Sequence, residues 1–232
     1  MSIITVENLS KSYGSQLILN NVNFEIHEKG IIALIGPNGS GKTTLINSLL
    51  NLTKIDKGTI TILGSSHDNI EIFNKVSLLK DYTVLYPYLS GWDHLSFAAN
   101  AYKLDKERVD YVINRLNIQS FIHKKTKTYS LGMKQILLIA LAILNDSQLM
   151  ILDEPLNGLD PSRIIEIREL LIALAKEGKT IFLSSHTLLE VEVMTKHVLF
   201  LKEGKLYEEW LDKEPNYSLE ERYREIFLMN AQ

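Results

Sequence analysis

The stretch IIALIGPNGSGKTTL, residues 31–45, decides the fold. Its first part, Ile31 to Gly36, is a continuous apolar run that stops in glycine. Such a run suits a strand buried on both faces, as in a parallel sheet. Its second part, Gly36 to Thr43, matches G-x-x-x-x-G-K-[ST]. Glycines at those places let the chain curl so that successive backbone N–H groups face inward, and a following helix adds its positive end. The cradle expected from Gly36, Pro37, Asn38, Gly39, Ser40, Gly41, Lys42, Thr43 and Thr44 holds β- and γ-phosphates. Lys42 supplies a point charge, and Thr43 offers a hydroxyl to magnesium.

Outward from this loop the pattern is α/β. On the amino-terminal side, IITVENLS and LILNNVNFEIHEKG alternate as strands, the second ending at a Lys-Gly turn. On the carboxyl side, KTTLINSLLNL reads as a helix and KGTITILG as a strand between glycines. From Asp93 to Leu144 the spacing becomes helical. HLSFAANAYKL is one helix, Asp105 caps a second over KERVDYVINRLNI, and SLGMKQILLIALAILND is a third. The α/β pattern then returns with LMILDEP as a buried strand, Pro161 to Lys176 as a helix, TIFLSS as a strand and HTLLEVEVMTK as a helix. HVLFLKEGKLYEE reads as a closing hairpin, and Ser218 with Glu221 as a capping box.

The bulk properties narrow the chemistry. The 232 residues contain no cysteine, which excludes a disulfide framework and thiol catalysis. A net charge of −3 offers no basic field for nucleic acid. The longest apolar run, ILLIALAIL, is about half the length of a membrane-spanning helix. The first ten residues lack the basic and apolar regions of a signal peptide, so none is expected.

Two strand ends carry further chemistry. LMILDEP ends in two carboxylates. Asp153 is expected to reach the magnesium, and Glu154 to orient or deprotonate a water attacking the γ-phosphate. SSH, residues 184–186, ends another apolar strand, and His186 there either serves the fold or contacts the γ-phosphate or that water. NGLDP, residues 157–161, is a turn into a helix with Asp160 as cap and Pro161 at the first position. YSLGMKQ, residues 129–135, has the look of an ordinary helix start with Ser130 as cap.

The order of phosphate loop, helical stretch, YSLGMKQ, LMILDEP, NGLD and SSH resembles the nucleotide-binding subunit of ABC transporters, over nearly the whole chain. The resemblance implies a P-loop NTPase core with N-terminal antiparallel strands plus a parallel sheet, covering about 1–80 and 147–210. It implies an inserted α-helical subdomain over about 81–146 and a short extension over about 211–232. It also implies ATP and Mg2+ as cofactors, with Lys42, Glu154 and His186 catalytic. Tyr13, in LSKSYG, resembles the aromatic that stacks on adenine. Tyr129 to Met133 stands where the family has LSGGQ, with Leu131 in place of a glycine and Met133 in place of the glutamine. By that likeness Ser130 and Gly132 cover the γ-phosphate of ATP held by a second subunit, so that two copies close head to tail over two nucleotides. YSLGMKQ itself is similar to the subfamily of bacitracin, lantibiotic and other peptide exporters.

The same likeness puts Asp81 where a metal-sensing glutamine is common. It makes the apolar stretch of Leu85, Tyr86, Tyr88, Leu89 and Trp92 a docking place for a transmembrane permease subunit, which would hold the chain at the cytoplasmic face of the membrane. Packing within the helical insert is the other reading of those five residues. A regulatory domain without hydrolysis and a soluble ABC-type ATPase are the rival readings of the whole chain. A P-loop kinase or GTPase would leave Ser130 to Gly132 without a role.

Overall fold

The computed structural model describes residues 2–211 and 218–229, so part of the 211–232 extension lies outside the described residues. An antiparallel sheet is built from β1 (Ile4–Tyr13), β2 (Gln16–Ile26), β4 (Lys57–Ile62) and β5 (Ser65–Ser66), in the order β2-β1-β4-β5. The second sheet holds β3 (Gly30–Ile35), β6 (Val76–Leu79), β7 (Leu149–Leu152), β8 (Thr180–Ser185), β9 (His197–Lys202) and β10 (Lys205–Trp210). Its order is β10-β9-β3-β8-β7-β6, parallel throughout except for the β9–β10 hairpin.

The apolar runs are buried on both faces, and their period of two divides them between two cores. Ile32 and Leu34 of β3, Ile151 of β7 and Phe182 of β8 pack with Leu45 and Ile46 of helix α1 (Lys42–Leu49) and with the antiparallel sheet. Ile31, Ala33 and Ile35, Met150 and Leu152, and Ile181 and Leu183 face the other way. They pack against α4 (Leu131–Leu144), α5 (Pro161–Lys176) and α6 (Leu188–Met194), described with their neighbours below. A charged residue at any of these apolar positions would therefore disturb one core or the other.

Helices α2 (Gly91–Ala101), α3 (Lys106–Arg115) and α4 all lie between β6 and β7, which are neighbours in the sheet. The helical stretch is thus an excursion from the sheet edge. Each of these three helix starts is fixed by a side chain. Ser90 and Asp93 form a reciprocal capping box on α2, Asp105 accepts from the Arg108 N–H on α3, and Ser130 from the Met133 N–H on α4. The far end of α4 is closed from α3. The Arg108 guanidinium donates to the Leu144 carbonyl at 2.9 Å, a group the helix end does not satisfy itself, and to the Ile143 carbonyl at 2.6 Å, which also accepts from the Asp146 N–H. Helix α5 begins at Pro161, with Asp160 accepting from the Arg163 N–H. The last helix, α7 (Leu219–Arg224), carries the Ser218–Glu221 capping box and runs on into a π turn over Glu225–Met229.

Three expectations are adjusted. Val76–Leu79 is an edge strand that is missing from the expected ones; four residues are too few to show a period, and pairing with β7 decides the matter. Helix α6 stops at Met194, because Thr195 turns extended and its hydroxyl bonds the Ile31 carbonyl. Leu85 is not part of an open patch, being only 6% exposed and packed in the core beneath α2 and α4.

Arg108→Ala is expected to lower stability by about 1–3 kcal/mol, the cost of leaving the buried Leu144 carbonyl unpaired. Urea denaturation would measure it, and an unchanged midpoint would refute the closing role of Arg108.

Candidate functional site

Parallel strands bring their carboxyl ends to one edge of a sheet, and loops that follow them meet there. Here the loops after β3, β7 and β8 meet. The β7–β8 register sets Leu152 beside Leu183, so Asp153 falls beside Ser184. The Ser184 hydroxyl donates to Asp153 Oδ1 at 2.6 Å, while the Thr43 hydroxyl donates to Asp153 Oδ2 at 2.9 Å. Asp153 is therefore held from both sides, with Thr43 facing it from the first turn of α1.

Glu154 follows with φ of 50°, a left-handed conformation that non-glycine residues rarely adopt. Its backbone is gripped at both ends. Ser184 Oγ accepts from the Glu154 N–H at 2.8 Å, and the Glu154 carbonyl accepts from the Asn157 N–H at 3.2 Å and from Gln135 Nε2 at 3.2 Å. Gln135 also donates to the Pro155 carbonyl at 2.9 Å, tying α4 to the carboxylate turn. The turn aims the Glu154 side chain back across the sheet edge. One carboxylate oxygen lies 2.9 Å from His186 Nδ1 and the other 3.6 Å from Lys42 Nζ. Lys42 is only 7% exposed and donates to the Gly36 carbonyl at 2.8 Å and the Pro37 carbonyl at 3.3 Å.

The phosphate loop is shaped by its glycines, most plainly Gly41. Its φ is 105°, and an added Cβ would sit 3.0 Å from Ile18 Cγ2, so both conformation and space demand glycine. No side chain caps α1, which leaves its positive end facing the cleft. That cleft, about 370 Å³, is lined by Tyr13, Asn38, Gly39, Lys42, Thr44 and His186, together with Glu154 and Asn157. Tyr13 is half exposed at one end. Pro37 and Ser40 stand behind the loop, the Ser40 N–H donating to the Pro37 carbonyl.

Ser130 and Gly132 do not line this cleft. They begin α4 outside it, against the turn that follows Glu154. There Gly158, at φ 75°, receives the side chain of Leu131; a Cβ on Gly158 would lie 2.6 Å from Leu131 Cδ2. Asp81 sits at the end of β6, on the same sheet edge as Asp153. Its carboxylate, however, accepts from the Thr83 N–H at 2.9 Å and from the Thr83 hydroxyl. Those bonds, the hydroxyl's foremost, hold the carboxyl below the usual carboxylate range. Among the described residues no group of three or more His, Asp or Glu side chains is arranged to hold a metal by itself.

In the stretch after Asp81, Tyr86, Tyr88 and Leu89 are exposed, and Trp92 is half-buried with its ring 5.5 Å from that of His123. The loop is braced from beneath. His94 Nδ1 donates to the Ser90 carbonyl, so its Nε2 accepts from the Tyr86 N–H at 2.9 Å, and the Thr126 hydroxyl donates to the Tyr86 carbonyl at 2.7 Å.

Ser184 and Gln135 were legible only as a strand residue and a helix residue. Their contacts depend on the pairing of distant segments. The one local signal was the hydroxyl pair ahead of His186 in SSH.

Residues 19–157 match the family model described as ABC transporter. The chain is 37% identical over 225 residues to the lantibiotic transport ATP-binding protein SrtF of Streptococcus pyogenes, covering 97% of this chain and 96% of that one. It is 40% identical over 212 residues to the bacitracin transport ATP-binding protein BcrA of Bacillus licheniformis, covering 90% and 69%. A solved dimeric ATP-binding cassette, in a post-hydrolysis state bound to ADP and Pi, superposes with a TM-score of 0.81 at 26% identity, over 90% of this chain and 98% of that one. The family model, the relatives and the shared fold agree, and the chain belongs to the ABC transporter family as one of its ATP-hydrolysing domains.

Proposed function

We propose that this chain is the ATPase subunit of an exporter for a peptide, antibiotic or toxin, peripheral to the cytoplasmic face of the membrane and working as a head-to-tail dimer. The observation that carries it is the meeting of Lys42, Glu154 and His186 across one cleft, while Ser130 and Gly132 stand outside it. A site split in this way is completed by a second copy. The names of the lantibiotic and bacitracin relatives supply the class of cargo.

In this reading Tyr13 stacks on adenine and the N–H groups of 36–44 cradle the triphosphate. Lys42, now shared between backbone carbonyls and Glu154, turns to the β- and γ-phosphates. That leaves Glu154 to orient the attacking water, with His186 holding its carboxylate and meeting the γ-phosphate. Ser130, Gly132 and the start of α4 cover the same phosphate from the partner copy. The Thr43 hydroxyl and the Asp153 carboxylate fit magnesium, a hard cation that takes one or two protein oxygens beside those of the nucleotide. When bound, it neutralises charge on the β- and γ-oxygens. Asp81 joins that set only by giving up Thr83. The exposed Tyr86, Tyr88 and Leu89, with Trp92 beside them, receive the transmembrane subunit, and the helical unit over about 81–146 carries the movement to it.

Glu154→Gln is expected to hold ATP without hydrolysing it and to elute as a dimer in size-exclusion chromatography with ATP and Mg2+; a monomer under those conditions sinks the split-site reading. Ser184→Ala loosens both Asp153 and the Glu154 turn, so kcat should fall about ten- to a hundredfold, the worth of a hydrogen bond to a charged group, with little change in KM. Phosphate release at saturating ATP measures it, and an unaltered kcat removes Ser184 from the argument.

A further inference from the structure

Tyr13 closes the base end of the cleft, and something must hold it there. The β1–β4 ladder ends at the Ser10–Lys57 pair, so along that edge the residues just before Tyr13 have no strand beside them. Asp56, the residue preceding β4, takes the missing place. Its N–H donates to the Ser10 carbonyl at 3.0 Å. Its carboxylate accepts from the Ser12 N–H at 2.6 Å and from Lys11 Nζ at 3.3 Å. The same segment also touches the ring's far end, where Thr53 Oγ1 lies 3.4 Å from the Tyr13 hydroxyl. Lys11 Nζ in turn sits 5.1 Å from the Tyr13 ring centroid, over one face, which leaves the other for a ligand.

We infer that Asp56 is a positioning residue for the nucleotide base: its carboxylate substitutes for a strand partner, fixes Ser12 and Lys11, and thereby presents the Tyr13 ring as a rigid platform for a purine. The inference rests on the reading of Tyr13 as the stacking aromatic. It also gives the segment after α1 a task. Helix α1 starts at the phosphate loop and feeds residues 50–56, so the two ends of a bound nucleotide are joined through one short piece of chain. The Ser12 N–H, foremost among the causes, keeps the Asp56 carboxyl below the usual carboxylate range, so the clamp is charged at neutral pH.

Because Asp56 acts on the base end alone, its removal should be felt by ATP and not by a ligand that is all phosphate. Isothermal titration with ATP and with inorganic tripolyphosphate, both with Mg2+, separates the two. Asp56→Ala is expected to weaken ATP about three- to tenfold, the range of one aromatic stacking contact, and to leave tripolyphosphate unchanged. Asp56→Asn, which keeps an acceptor for Ser12 but drops the charge on Lys11, should fall between. Tyr13→Ala should match Asp56→Ala, and the double variant should be no weaker than Tyr13→Ala alone. ATP affinity retained in Asp56→Ala but lost in Tyr13→Ala overturns the role of Asp56. Affinity retained in Tyr13→Ala overturns the platform reading itself. Equal loss for both ligands in Asp56→Ala shows a general structural effect and also overturns the inference.

Discussion

The site depends on one unfavourable backbone conformation. A left-handed glutamate costs about 1–2 kcal/mol relative to an ordinary one. At Glu154 that cost is offset by bonds from three separate elements: Ser184 from β8, Asn157 from the following turn and Gln135 from α4. Each such bond contributes about 1 kcal/mol net. The conformation turns the carboxylate toward Lys42 and His186 rather than along the strand axis. Strain held by the surrounding fold at a reacting group is a recurring property of functional sites.

Everything upstream serves to make that turn possible. The β7–β8 register puts Ser184 where it can hold Asp153 and Glu154 together, and the register is pinned because each strand is buried on both faces. A slip of one residue would send Ile151 and Phe182 into the wrong core and carry Ser184 away from both acidic residues. Packing of the sheet and placement of the chemistry are therefore the same constraint. The helical stretch joins through Gln135, which is 6% exposed and spends its amide on two carbonyls of the carboxylate turn. Displacement of α4 must be felt at Glu154.

Much of this was legible beforehand, where local chemistry decides. The Ile31–Gly36 run, the Gly-rich loop and the Asp160-Pro161 start of α5 each carry their own cause in adjacent residues. Long-range pairing was not legible. The strand Val76–Leu79 is too short for a period, and the sequence around Leu85 does not say that this side chain turns inward while Tyr86 turns out. Asp81 could be assigned a place on the sheet edge, but its commitment to Thr83 is a matter of three-residue geometry that composition does not reveal. An aspartate before a strand, as at Asp56, looks like any turn residue.

The nesting of Leu131 against Gly158 ties two distant positions by size. A branched side chain at 131 is tolerable because position 158 has none, and a bare 158 is well filled because 131 is large. A side chain added at 158 would collide with Leu131 and force apart the start of α4 and the turn behind Glu154. A side chain at 158 thus demands a smaller residue at 131 and a costly backbone besides, whereas the exposed Leu131 can shorten alone.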